Sequence, residues 1–136
     1  MPRRNTKTCK NQSLTIKPYI MNTDVKDLWV AALRSGTYTQ TTGELQNAYG
    51  FCCMGVLCDL YFQKVGGNWT PSEDEEMIVF TDEDGNTNFG TCPDGVMEWS
   101  GLKEENPYVS GRHLSDWNDE EKISFDEIAN LINENL

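Results

Sequence analysis

Residues 51–62 read FCCMGVLCDLYF, three cysteines within seven positions of an otherwise apolar run. The run contains no proline, outlasts a typical strand of 5–6 residues, and meets a stop signal at Gly66-Gly67. Those features predict a buried helix from about Cys53 to about Val65 rather than a strand. Free cysteine is among the most buried residue types and packs as a small hydrophobe, so the thiols read as core filling. Gly55, near the helix start, leaves room for another element to approach closely.

Working outward, the segment NTDVKDLWVAALRSG (22–36) offers Asn22, Thr23 and Asp24 as N-caps and Gly36 as a C-terminal stop. Val25, Leu28, Trp29, Ala32 and Leu33 share one helical face. A short hairpin is expected around Thr42-Gly43. In residues 68–91, NWTPSEDEE reads as a loop, MIVFT as a strand, DEDGN as a turn and TNFGT as the returning strand. A short helix is expected between Pro93 and Gly101, a loop over KEENPYVSGR, and one helical turn or an extended segment over HLSDWNDEEK. The C-terminal helix carries a capping box, Ser124 with Glu127. Alternating helices and hairpins predict an α+β fold, one compact domain of three to four helices packed with short antiparallel hairpins. Residues 1–21 read as a flexible basic extension and 22–136 as the single acidic domain, with Met21 a possible translation start.

Charge divides the chain unevenly. Five of the eleven bases (Arg3, Arg4, Lys7, Lys10, Lys17) and none of the 22 acids lie in residues 1–23, leaving six bases in the remainder. A body this acidic repels phosphates, so direct nucleic-acid binding by it is not expected. A partner protein with a basic surface is the sharper expectation, and Glu73, Asp74, Glu75, Glu76, Asp82, Glu83 and Asp84 form the densest acidic group to meet it. No apolar run approaches the roughly 20 residues that cross a bilayer. Five cysteines, an odd number without a secretory leader, fit reduced thiols in a cytoplasm.

Five pieces of the chain carry a resemblance: WVAALRSGTYTQ (29–40), CCMGVLCD (52–59), PDGVMEWSGL (93–102), LSDWND (114–119) and SFDEIANLI (124–132). In that order they resemble a group of small uncharacterised proteins encoded by bacteriophages, prophages and bacteria. The resemblance implies a phage or bacterial setting and a shared fold. It transfers no catalytic residue.

The chemical candidates are few. Zinc sites draw on C-x₂₋₄-C knuckles, whereas Cys52, Cys53, Cys58 and Cys92 are separated by 0, 4 and 33 residues. Cys9 and His113 do not supply a knuckle either, so no metal or other cofactor is expected. A nucleophile reading places Cys52 or Cys53 at a helix start with His113 as base and Asp116, Asn118 or Asp119 as orienters. Asp82, Asp84, Asn86 and Asn88 alternate as in a calcium loop, but Thr87 and Pro93 stand where an EF-hand needs Gly and Glu. The four tryptophans, Trp29, Trp69, Trp99 and Trp117, read as core or boundary anchors. If they converged on a groove with Arg34, Lys64 and Arg112, a nucleotide-like ligand would fit. The sequence therefore favours a binding protein of phage type over an enzyme. A cysteine hydrolase or transferase, a small-ligand binder and a virion component are the alternatives.

Overall fold

The computed structural model describes residues 20–73 and 76–136. The expected basic extension, apart from its last two residues, and the acids Asp74 and Glu75 lie outside the described residues. In chain order the elements are α1 (Thr23–Arg34), β1 (Gln46–Asn47), β2 (Gly50–Phe51), α2 (Cys53–Lys64), β3 (Asn68–Pro71), β4 (Met77–Thr81), β5 (Thr87–Asn88), α3 (Asp94–Ser100), β6 (Tyr108–Val109), β7 (Arg112–His113), α4 (Leu114–Asp119) and α5 (Phe125–Asn135). This is an α+β domain with antiparallel sheets. It has five helices among the described residues, one more than the upper expectation, because the 114–119 segment forms the short α4.

The centre of the molecule is α2. Eight of its twelve residues are buried, among them Cys53, Met54, Val56, Leu57 and Cys58, so it has no solvent stripe along most of its length. Each fully buried Val, Leu or Met side chain contributes about 1.5–3 kcal/mol relative to exposure. The chain at Leu45 crosses directly over the start of the helix. A Cβ on Gly55 would stand 1.8 Å from the Leu45 carbonyl oxygen, and that oxygen accepts a hydrogen bond from the Cys52 amide at 3.1 Å. The close approach expected of Gly55 is therefore real, and only glycine permits it.

Helix α1 lies across α2 and along α5. Asn22 is its N-cap, its side-chain oxygen accepting from the Val25 amide at 2.9 Å. Trp29 is fully buried and its indole donates to the Cys53 carbonyl at 3.0 Å, locking α1 to the first turn of α2. From the other side, buried Asn118 of α4 accepts from the Cys53 amide and from the Gln40 side chain, and donates to the Thr41 carbonyl. Helix α5 has the expected capping box, Ser124 and Glu127 bonding reciprocally.

In the main sheet, β4 is flanked on one side by β3 and on the other by β1 and β5, which share its edge end to end. Three details depart from expectation. The first hairpin joins β1 and β2 rather than turning at Thr42-Gly43, which stay exposed while Leu45 is buried and its backbone bonds to Phe89 and Cys52. NWTP is the edge strand β3 rather than loop, and its proline closes the strand at an edge, where a missing amide is tolerated. The stretch read as a loop before His113 contains the β6–β7 hairpin, whose Ser110-Gly111 turn takes positive φ at both positions.

Candidate functional site

The four described cysteines sit inside the core, and Cys9 lies outside the described residues. Cys52, Cys53, Cys58 and Cys92 are all unbridged and buried. Burial pushes the Cys52 thiol up to about 12, outweighing the hydrogen bonds it receives from the Gly55 and Met54 amides, and raises Cys53 and Cys58 well above their ordinary value. A thiol in that state is not a nucleophile at neutral pH. The Cys53 sulfur faces the Leu114 carbonyl at 3.9 Å and the Cys58 sulfur faces that of Cys92 at 4.0 Å. His113 is exposed. Its Nδ1 lies 2.8 Å from the Asn106 carbonyl and its ring packs edge-on against Tyr108. The structure thus keeps the histidine on a surface hairpin and the thiols in the interior. Among the described residues no group of three His, Cys, Asp or Glu side chains is placed to hold a metal ion.

Two of the three bases named for a phosphate ligand, Arg34 and Arg112, are separately engaged, and the third, Lys64, lies in the last turn of α2. Arg34 donates to the Asn130 side chain, while Arg112 pairs with Glu120 at 3.5 Å and Glu121 at 3.1 Å. A cleft of about 280 Å³ beside Arg34 is lined by Leu33, Tyr38, Gln40 and Phe125 among others. Its polar side chains Gln40 and Ser124 are already hydrogen-bonded within the fold.

The acidic group divides in two. Glu73, Glu76, Glu83 and Asp84 are exposed. Asp82 is not a surface docking residue: it is 3 % exposed, and its oxygens accept from the amides of Asp84, Asn86 and Gly95 and from the Asn86 side chain. Burial alone would raise its pKa, but the hydrogen bonds from Asn86, Gly95 and Asp84 together hold the carboxyl below its ordinary value. Asp82 is a structural clamp that closes the β4–β5 turn and ties it to the first turn of α3. The alternating Asp and Asn letters that suggest a calcium loop spell this turn instead.

That clamp builds the second cleft, also about 280 Å³. It is walled by Tyr61 and Val65 from the end of α2, Glu83 and Asp84 from the β4–β5 turn, and Gly95, Glu98 and Trp99 from α3. Trp99 and Tyr61 meet edge to face, centroids 5.7 Å apart, and Tyr61 meets Phe80 in the same way at 5.9 Å. The Tyr61 hydroxyl accepts from the Glu83 amide at 3.1 Å, and the Glu83 carboxylate accepts from the Gly67 amide at 2.9 Å. Among the described residues the ion pairs are the two of Arg112, so Glu83, Asp84 and Glu98 have no cationic partner there. Sequence reading found Glu83 and Asp84 but missed Glu98 and Tyr61, which look unremarkable alone. It raised Trp99 only as one of four scattered indoles.

The remaining tryptophans serve as anchors. Besides Trp29, Trp69 donates to Asp59 at 3.0 Å and Trp117 to the Val109 carbonyl at 2.8 Å. Asp59 also accepts from Tyr38 and Gln63, at 2.6 and 2.8 Å, so three neutral donors hold its carboxylate.

The chain belongs to the family described as Domain of unknown function (DUF8296), which matches residues 21–136. No curated protein and no solved structure matches it.

Proposed function

We propose that this is a non-enzymatic accessory protein of phage type that acts in the host cytoplasm by binding a host protein with a basic surface, in a role such as counter-defence or host takeover. The observation that carries the reading is unneutralised charge. From residue 24 onward the chain holds 22 acids against six bases, and both ion pairs among the described residues belong to the single side chain of Arg112. A fold with little use for its acids internally presents them outward, where complementary charge speeds encounter and selects partners. The buried, protonated thiols and the outlying His113 support binding rather than covalent catalysis. The phage setting rests on the sequence resemblance. The acidic surface argues against nucleic acid as the direct target.

The test is capture of the partner from host lysate followed by binding measurements across a salt series. The affinity should fall steeply as salt rises, and Glu73→Lys with Asp84→Lys, both on exposed side chains, should abolish binding without loss of fold. Binding that ignores both salt and charge reversal would overturn the reading.

A further inference from the structure

We infer that the cleft between α2, the β4–β5 turn and α3 is a receptor for one arginine side chain of that basic partner. The inference rests on the basic-partner reading and adds the place and the chemistry.

Three independent features of the cleft favour an organic cation. First, carboxylates from two separate elements, Glu83 and Asp84 on the turn and Glu98 on α3, border one concavity and have no cationic partner among the described residues. Second, α2 walls it with its C-terminal turn, Tyr61 and Val65, so the negative end of that helix dipole adds to the side-chain charges, while the short α3 borders it along its length from Gly95 to Trp99. The last turn of α3 contains no basic residue, while that of α2 carries Lys64, its one local offset. Third, the surfaces between the acids are the part-exposed Trp99 and the 45 %-exposed Val65, backed by the buried Tyr61, and they suit the flat face and stem of a guanidinium.

Size and shape choose among cations. At about 280 Å³ the cleft falls at or below the lower end of pockets that enclose whole cofactors, which start near 300 Å³, so it suits one side chain. Arginine presents five donors in a rigid plane, able to reach carboxylates on opposite walls, and is less strongly hydrated than an ammonium. Lysine is a compact, well-hydrated point charge that gains less from aromatic walls. The frame is also pre-set. Asp82 fixes the turn to α3 through the Gly95 amide at 2.7 Å, and Glu83 is held over Gly67.

The experiment titrates isotope-labelled full-length protein with three peptides matched in length, alternating glycine with arginine, lysine or citrulline, at about 10 mM ionic strength, where surface charge is least screened. Amide and indole shifts locate the contact. The expected result is movement of the Trp99 indole and of residues 83–84 and 98, with the arginine peptide binding about threefold or more tighter than lysine. Glu98→Gln and Asp84→Asn should each weaken the arginine peptide about two- to fivefold. Glu134→Gln, an exposed acid on α5, should leave it unchanged. These conservative changes sit on exposed side chains, and Asp82 is untouched, so folding is preserved. Equal affinity for arginine and lysine, with shifts spread over the surface and no effect of Glu98→Gln, would overturn the cleft assignment while leaving the basic-partner reading intact. Absence of binding by both charged peptides would overturn both. Equal binding of citrulline would show that charge is irrelevant and also overturn both.

Discussion

Replacing Asp82 separates the two uses to which this chain puts neighbouring acids. In Asp82→Ala the buried Gly95 amide loses its acceptor, while the Asp84 and Asn86 amides, nearer the surface, turn partly to water. Hydrogen bonds to a charged group contribute about 1.5–3 kcal/mol each, and an orphaned buried donor costs about 1–3 kcal/mol. With two of the donors partly rescued, the expected loss is about 3–5 kcal/mol, a large share of the 5–15 kcal/mol typical of a domain. Asp82→Asn keeps one oxygen but turns an amide NH₂ toward existing donors, so about 2–3 kcal/mol should be lost. Because the folded carboxyl is held below its ordinary value near 3.9, the ionised form stabilises the fold above that pH. That contribution fades as pH falls through the folded value. Urea unfolding followed by tryptophan fluorescence, from neutral pH down to about pH 3, should therefore show the gap between wild type and Asp82→Asn narrowing with acid. A loss below about 1 kcal/mol for Asp82→Ala, or a gap constant across the pH range, would refute the clamp.

Two further perturbations test the core. Gly55→Ala places a methyl 1.8 Å from a backbone oxygen that cannot rotate away, so it should cost at least about 3 kcal/mol or prevent folding, read as a lost or sharply lowered thermal transition. Alkylation of native protein should leave Cys52, Cys53, Cys58 and Cys92 unlabelled, with modification appearing at the rate of unfolding and unaffected by His113→Ala. Fast labelling of one thiol that slows in the His113 variant would restore the nucleophile.

Elements whose signals are local were legible in the residues. The Ser124–Glu127 box, the Asn22 cap, the Gly101 stop (φ +79°) and the unbroken apolar length of α2 each depend on neighbours a few positions apart. The strands were harder, since pieces of two to four residues such as β3 and β6 exist only because a partner lies alongside. Ser110-Gly111 is a recognisable turn pair, but its flanks Tyr108-Val109 and Arg112-His113 lack the alternation that marks a strand. The acidic run showed the same limit. Nothing in the letters distinguishes Asp82, turned inward, from Asp84, turned outward, because the distinction is made by the amide of Gly95, thirteen residues away. The cleft was less legible still. Tyr61, Asp84 and Glu98 come together only after α2, the turn and α3 have packed.

The pairing of α1 with α5 bears on how the chain assembles as it leaves the ribosome. The first helix lies along the last, the Met21 amide faces the Leu136 carbonyl at 3.4 Å, and Lys26 reaches the Asn133 carbonyl at 3.4 Å. Until α5 emerges, Trp29 can settle on α2, but the other apolar flank of α1 has no cover. The interior of this domain stays half-built until residues 125–135 are available to close it. Contacts so distant in sequence slow folding, and they make the docking of α5 the step that completes the core. Stalling translation just before Ser124 should yield a protease-sensitive chain, and releasing α5 should convert it at once to a resistant one.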